Sequence, residues 1–173
     1  MFATLFIPNF YLQAALRHQP QLHEQAVGVI DDQETKPIIM ELNEAAEAAG
    51  VCRGMTPSQG LARHLPLVIK TRLRKQEALL EDLLVQFAFA LSPYVEATAP
   101  GVCTIQFTER REVLRKVESV VDQLGEAGIT VQAGIAPTPD ASLLAAHLAR
   151  PVLQVTSMKD FLAPLPIETL LVA

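Results

Sequence analysis

Apolar and polar residues follow two periods along the chain. Residues 2–7 form a nearly continuous apolar run, which predicts a buried strand ended by Pro8. Asn9 offers a cap for a short helix reaching about His18. Two β-rich runs, 26–30 and 37–42, flank the polar stretch 31–36 and predict a hairpin. Asn43 then caps an alanine-rich helix that Gly50 stops. Thr56-Pro57-Ser58-Gln59 is a capping box with proline at the first helical position, and a helix follows to about His64. Residues 67–69 are a short apolar run.

The second half is more regular. Leu80, Leu84, Phe87 and Leu91 fall at helical spacing and predict a helix over about 75–91, ended by Pro93. Residues 94–98 and 102–108 read as strands joined by a turn at Ala99-Pro100-Gly101. Val113, Val117, Val120 and Leu124 mark a second amphipathic helix, stopped near Gly128. Residues 129–135 read as a strand. Thr138-Pro139-Asp140 opens a further helix that ends at Arg150-Pro151, and the remainder is short and proline-spaced.

With residues 26–69 set aside as an insertion, the order is strand, helix, strand, strand, helix, strand. This is the ferredoxin-like βαββαβ order of an α+β fold. Two long helices are expected to cover one face of an antiparallel sheet and leave the other open. The layout alone names no function.

Composition narrows the class. The chain has 173 residues, half of them apolar and 19% charged, with a mean hydropathy of +0.25. That is ample for a core and excludes disorder and a disulfide scaffold. The longest nearly apolar stretch, 83–91, is about half of the roughly 20 residues a membrane span needs. The greasiness therefore belongs to a core or to partner-facing surface. A net charge of −5 argues against a dedicated nucleic-acid binder, although a local basic face is compatible with it. Cys52 and Cys103 lack metal spacing and read as buried free thiols of a cytoplasmic protein. The N-terminus has no basic region and is too short for a signal peptide.

Several short motifs, in order, carry a resemblance. Phe10-Tyr11 after the first strand resembles the Phe-Tyr pair that follows the Asp-x-Asp motif of Y-family (translesion) DNA polymerases. Gly50-Val51-Cys52-Arg53-Gly54-Met55 resembles their fingers motif G-V-x-x-G-M. Ser92-Pro93-Tyr94-Val95-Glu96 resembles the strand leading to their Ser-x-Asp-Glu motif. Gly134-Ile135-Ala136-Pro137 resembles the strand end before their late palm helix, and Phe161-Leu162-Ala163-Pro164-Leu165-Pro166 the segment entering the thumb. The resemblance implies a ferredoxin-like palm at 1–17 and 73–173 with a fingers-like helix and hairpin insertion at 18–72. It also implies that thumb and little finger are absent from this chain.

Departures from the family pattern matter as much. Such polymerases hold two Mg²⁺ ions with clustered carboxylates. The family's first two aspartates align with Phe6 and Pro8, and its Asp-Glu pair with about Gly101 and Val102; Glu96 is the only acid on that hairpin. The family's triphosphate-binding Tyr and Arg fall at Glu44 and Glu47, where carboxylates repel a triphosphate. The basic residue of the late palm helix aligns near Ala146 and His147. This pattern is similar to the catalytically inactive ImuB-like homologues of bacterial damage-inducible mutagenesis cassettes. The resemblance implies no catalytic residue, no metal and no cofactor. It implies a scaffold in damage-induced (SOS-type) translesion synthesis and repair, partnered by an error-prone polymerase, a sliding clamp and a RecA-like accessory protein. A residual nucleic-acid-binding module without catalysis is the alternative.

The remaining candidates are weaker. Lys70, Arg72, Arg74 and Lys75 form a basic run that is either a weak nucleic-acid contact or a solvated helix start. Arg110, Arg111, Arg115 and Lys116 lie among acids and read as a wet, ion-paired helix face. His18, His23, His64 and His147 have no ligand register for a metal. Glu41, Glu44 and Glu47 read as a solvated helix face, Asp31 and Asp32 as turn residues, and Ser58 and Ser142 have no nucleophile context. Apolar surface left without a thumb or little finger favours a homodimer or a sticky monomer.

Overall fold

The computed structural model describes residues 1–167 and 169. The chain divides into two compact units, one of residues 1–8 with 81 onward and one of residues 9–80.

The first unit is built on a five-stranded sheet. Its strands are β1 (Phe2–Phe6), β5 (Tyr94–Ala99), β6 (Val102–Gln106), β7 (Gln132–Ala136) and β8 (Val152–Gln154), in the order β5-β6-β1-β7-β8. β1 lies between β6 and β7 and is antiparallel to both. The first four strands have the ferredoxin-like order. β8 is an addition that the proline-spaced tail had hidden, parallel to β7 and reached through α6 (Pro139–Leu148). β7 begins three residues later than the apolar run 129–135 predicts.

The two sheet faces are packed differently. Ala3, Leu5, Cys103, Ile105, Ala133 and Ile135 are fully buried on one face. Here α5 (Val113–Glu126) presents Val113, Val117, Val120, Val121 and Leu124, and α4 (Arg74–Leu91) runs beside it. The opposite face is not open throughout, as the two-helix layout predicts. α6 covers its centre, and the reason is Gly134. A Cβ there would sit 2.1 Å from the Ser142 carbonyl oxygen and 2.2 Å from the Ala146 nitrogen, so only glycine admits the helix this close. Thr4 Oγ1 meets Ser142 Oγ at 2.8 Å, and Ser142 donates to the Pro139 carbonyl at 2.7 Å. The one Ser142 proton is thereby used, so Thr4 is the donor to Ser142. Ala136, Ala141, Ala145 and Val155 form a small core beneath α6, with Met158 and Phe161 of α7 (Met158–Leu162) against it.

The second unit carries a three-stranded sheet of β2 (Val27–Ile30), β3 (Ile39–Leu42) and β4 (Val68–Thr71), in the order β3-β2-β4. The expected hairpin is β2 with β3, antiparallel. The run 67–69 extends it as β4, parallel to β2. Being central, β2 is buried at every residue, which is why its sequence does not alternate. Val27 and Val29 pack on α1 (Phe10–Leu16) through Leu12, Ala15 and Leu16. On the other side Ile30, Ile39, Leu42, Ala46, Val51 and Leu67 form a second core. Here α2 (Glu44–Ala48) is capped by Asn43, and α3 (Pro57–Arg63) by the full Thr56/Gln59 box.

Four local expectations are corrected. Cys52 is exposed; only Cys103 is buried, and burial pushes its thiol up to about 11. Arg110 and Arg111 precede α5 rather than lying on it. Asn9 starts α1 but in a left-handed conformation with no side-chain cap; its Oδ1 instead accepts from Arg53 Nη2 at 2.6 Å. Glu41 is on β3, not on a solvated helix face.

Candidate functional site

In the first unit the positions that the resemblance assigns to carboxylates do come together. β1 and β6 run antiparallel in a register that sets Phe6 opposite Val102. The Ile7 N–H donates to the Gly101 carbonyl at 2.8 Å. Gly101 has a φ of +71°, which only glycine adopts without strain, and so closes the β5–β6 turn. Pro8 follows directly and has no N–H to donate. The last turn of α6 adds His147, whose ring lies 4.2 Å from that of Phe6 at an interplanar angle of 47°. Burial lowers the His147 pKa, so the ring is neutral near pH 7. Gly101 and Val102 are buried.

The chemistry of this centre follows from its atoms. Phe6, Pro8, Gly101 and Val102 offer aromatic and aliphatic groups where a divalent-cation site needs carboxylate oxygens. Thr4, on the same strand as Phe6, and Ser142 of α6 are engaged in their own hydrogen bonds. Glu96 on β5 is opposite Thr104, two residues further along β6. Among the described residues no three His, Cys, Asp or Glu side chains gather as a metal-binding group. These residues do not fit a pair of Mg²⁺ ions.

The second unit holds the charge, and holds it in pairs. Arg72 makes a two-point bond to Glu77, Nη2 to Oε2 at 2.5 Å and Nε to Oε1 at 3.1 Å. Its Nη1 reaches Asp31 Oδ2 at 3.1 Å. Its guanidinium lies over the Tyr11 ring, 4.0 Å from the centroid. Arg74 Nη2 adds bonds of 2.8 and 3.1 Å to the two Asp31 oxygens. The Gln33 backbone N–H, followed by Arg74 and Arg72, lowers the Asp31 pKa against the effect of burial. Asp31 is therefore more than a turn residue. Lys70 Nζ donates to Gln19 Oε1 at 2.6 Å, and Lys75 is exposed. The basic run thus splits: Arg72 is structural, Arg74 is half exposed and paired, and Lys75 faces solvent.

Three acids of this unit have distinct places. Glu44 and Glu47 are exposed on the first turn of α2, where a negative charge suits the helix dipole. Glu41 is half-buried and accepts the Leu12 N–H at 2.8 Å, satisfying a donor at the start of α1. Desolvation raises its pKa despite that bond. Sequence reasoning missed the Glu41 contact and the Asp31–Arg72–Arg74 cluster. Their partners lie 29 to 43 residues apart, and only the folding of the unit brings them together.

A ferredoxin-like sheet with a helix-and-sheet insertion after its first strand is the palm-and-fingers arrangement of Y-family DNA polymerases. Solved structures agree. A ternary complex of Dbh DNA polymerase matches 97% of this chain at 18% identity and a TM-score of 0.83. DinB from Sulfolobus solfataricus matches 97% at 19% identity and 0.82. A Y-family chimera of Dbh and Dpo4 matches 97% at 16% identity and 0.84. The chain covers 53%, 52% and 53% of these structures, about half the length of each. No curated protein matches the sequence. The sequence profile of the impB/mucB/samB family matches residues 5–147, and the chain belongs to that family.

Proposed function

We propose that this protein is a non-catalytic member of its family, a scaffold in damage-induced (SOS-type) translesion DNA synthesis and repair in the cytoplasm. The observation that carries the reading is the pairing of Phe6 with Val102 beside Gly101 and the His147 ring. The resemblance puts the metal-binding acids there, and the residues present are apolar. Two Mg²⁺ ions activate the attacking hydroxyl and neutralise charge on the transferred phosphoryl group; without acids the palm has no means to hold them. Exposed Glu44 and Glu47, where the resemblance puts a Tyr and an Arg, oppose triphosphate binding in the same sense. The partners this reading implies are an error-prone polymerase, a sliding clamp and a RecA-like accessory protein.

The test is primer extension by the purified chain on a primed template with all four deoxynucleotides and Mg²⁺ or Mn²⁺. No template-directed product is expected. Incorporation that follows the template base contradicts the reading.

A second reading, residual nucleic-acid binding, draws on Lys75 and the half-exposed Arg74, together with Lys70. It predicts an affinity for DNA that falls steeply with salt. Fluorescence anisotropy at two salt levels decides it: absence of binding at low salt removes the idea. Arg72 is an unsuitable contact, because Glu77 and Asp31 already neutralise it.

A further inference from the structure

β5 is one of the two edge strands of the five-stranded sheet, the other being β8. It pairs with β6 on one side only, regularly from Tyr94 to Ala97, and the register then shifts by one residue before Ala99. In an antiparallel pair every second residue turns its N–H and C=O away from its neighbour. An edge strand therefore presents unpaired groups, which proteins commonly guard with lysine, proline or a cover. β5 reads Tyr-Val-Glu-Ala-Thr-Ala, has neither lysine nor proline, and is exposed at all positions but Val95.

Each face of this strand opens onto a hollow. Tyr94, Glu96 and Thr98 line one of about 270 Å³ together with Phe2 and Thr104. Ala97 and Ala99 line the other, of about 430 Å³, with Leu84, Val85, Glu81 and Asp82 of α4. A strand added to β5 sends alternate side chains to the two faces, and so into the two hollows. Among the described residues, the only charged ones lining either are Glu81, Asp82 and Glu96. None of the salt bridges among the described residues engages them.

We propose that β5 is a docking edge for an extended segment of a partner protein carrying lysine or arginine among apolar residues. Backbone pairing with residues 94–97 supplies the grip. The three acids supply the choice of partner, because an acidic segment meets like charge on both faces. The same acids argue against a second copy of this chain on the edge, since a β5–β5 pair sets acid-rimmed faces together. The proposal goes beyond the scaffold reading by naming a surface and a partner chemistry, and takes from that reading only that the partner is a protein.

The test uses the ¹⁵N-labelled chain and three peptides: acetyl-Val-Lys-Val-Lys-Val-Lys-Val-amide, its glutamate counterpart, and the lysine peptide with proline at its central residue. The lysine peptide is expected to shift the amide signals of residues 94–97 and slow their hydrogen exchange. The glutamate and proline peptides are expected to bind at least about tenfold more weakly. Glu81→Gln with Asp82→Asn, which removes the two acids that α4 contributes to the hollow, is expected to lower the affinity for the lysine peptide several-fold while leaving the spectrum folded. No binding, shifts confined to other surfaces, equal binding of the glutamate or proline peptide, or protection of 94–97 that rises with protein concentration alone would each overturn the proposal. None of these outcomes bears on primer extension, so the two readings fail separately.

Discussion

The two units solve opposite problems with charge. In the first, the centre formed by Phe6, Val102 and Gly101, with the His147 ring against Phe6, carries no carboxylate. In the second, Asp31, Arg72, Arg74 and Glu77 form a half-buried ionic cluster capped by Tyr11. The low charge of the chain is thus not evenly spread. Charge is missing where the resemblance to polymerases puts metal ligands, and much of what remains inside the second unit neutralises itself. Carboxylates and guanidinium groups are available to this fold, but here they stabilise structure.

The contrast can be broken hardest on the packed side. Gly134→Ala forces a Cβ into the α6 backbone, which has no flexible end to yield. Equilibrium denaturation is expected to show a loss of about 4 kcal/mol or more. A loss under about 1 kcal/mol would mean that α6 does not approach the sheet as described.

On the ionic side the sharpest change is Arg72→Ala. It leaves the Glu77 carboxylate buried without its partner, and a loss of about 3 kcal/mol is expected. Arg72→Lys keeps the charge but not the two-point bond or the stacking on Tyr11, and an intermediate loss is expected. If both variants unfold with the parent, the cluster is surface decoration.

How much of this was legible beforehand depends on range. The ferredoxin-like order, the β2–β3 hairpin and the Thr56 box follow from local pattern, because periodicity and caps act within a few residues. β4 and β8 were hidden because they are short strands whose pairing, not their sequence, makes them strands. The blockage of the second sheet face by α6 turns on one missing Cβ at Gly134, which a sequence shows only as a glycine in a strand. The ordered motifs single out Phe6, Pro8, Gly101 and Val102, but the pairing of Phe6 with Val102 comes from the strand register. The sharing of Asp31 by Arg72 and Arg74 was not, since charges in sequence carry no partner label.

The smallest effect sharpens the comparison by pH. Glu41 has a raised pKa, so the folded protein binds its proton more tightly than the unfolded chain does. Its contribution to stability is therefore greatest in acid and declines as pH rises from about its ordinary value of 4.5 through the folded value. Glu41→Gln still accepts the Leu12 N–H and is expected to flatten that decline, matching or exceeding the parent at pH 7. Glu41→Ala orphans the N–H and is expected to cost about 1 kcal/mol. Asp31, with its pKa lowered, works in the opposite direction: its contribution is present above the ordinary carboxylate range and is lost as pH falls through the folded value. Thermal melts of the parent, Glu41→Gln and Asp31→Asn across the acid range separate the two.

The central claim is that the palm centre cannot hold divalent ions. Paramagnetic broadening by Mn²⁺ of the ¹⁵N-labelled chain reads this directly, at the amides of Phe6, Gly101, Val102 and His147, with Leu124 on α5 as an internal control. The account predicts that these four signals bleach no more than that of Leu124 as Mn²⁺ is added. Selective, saturable bleaching at Phe6 and Val102 that Mg²⁺ competes away would contradict it.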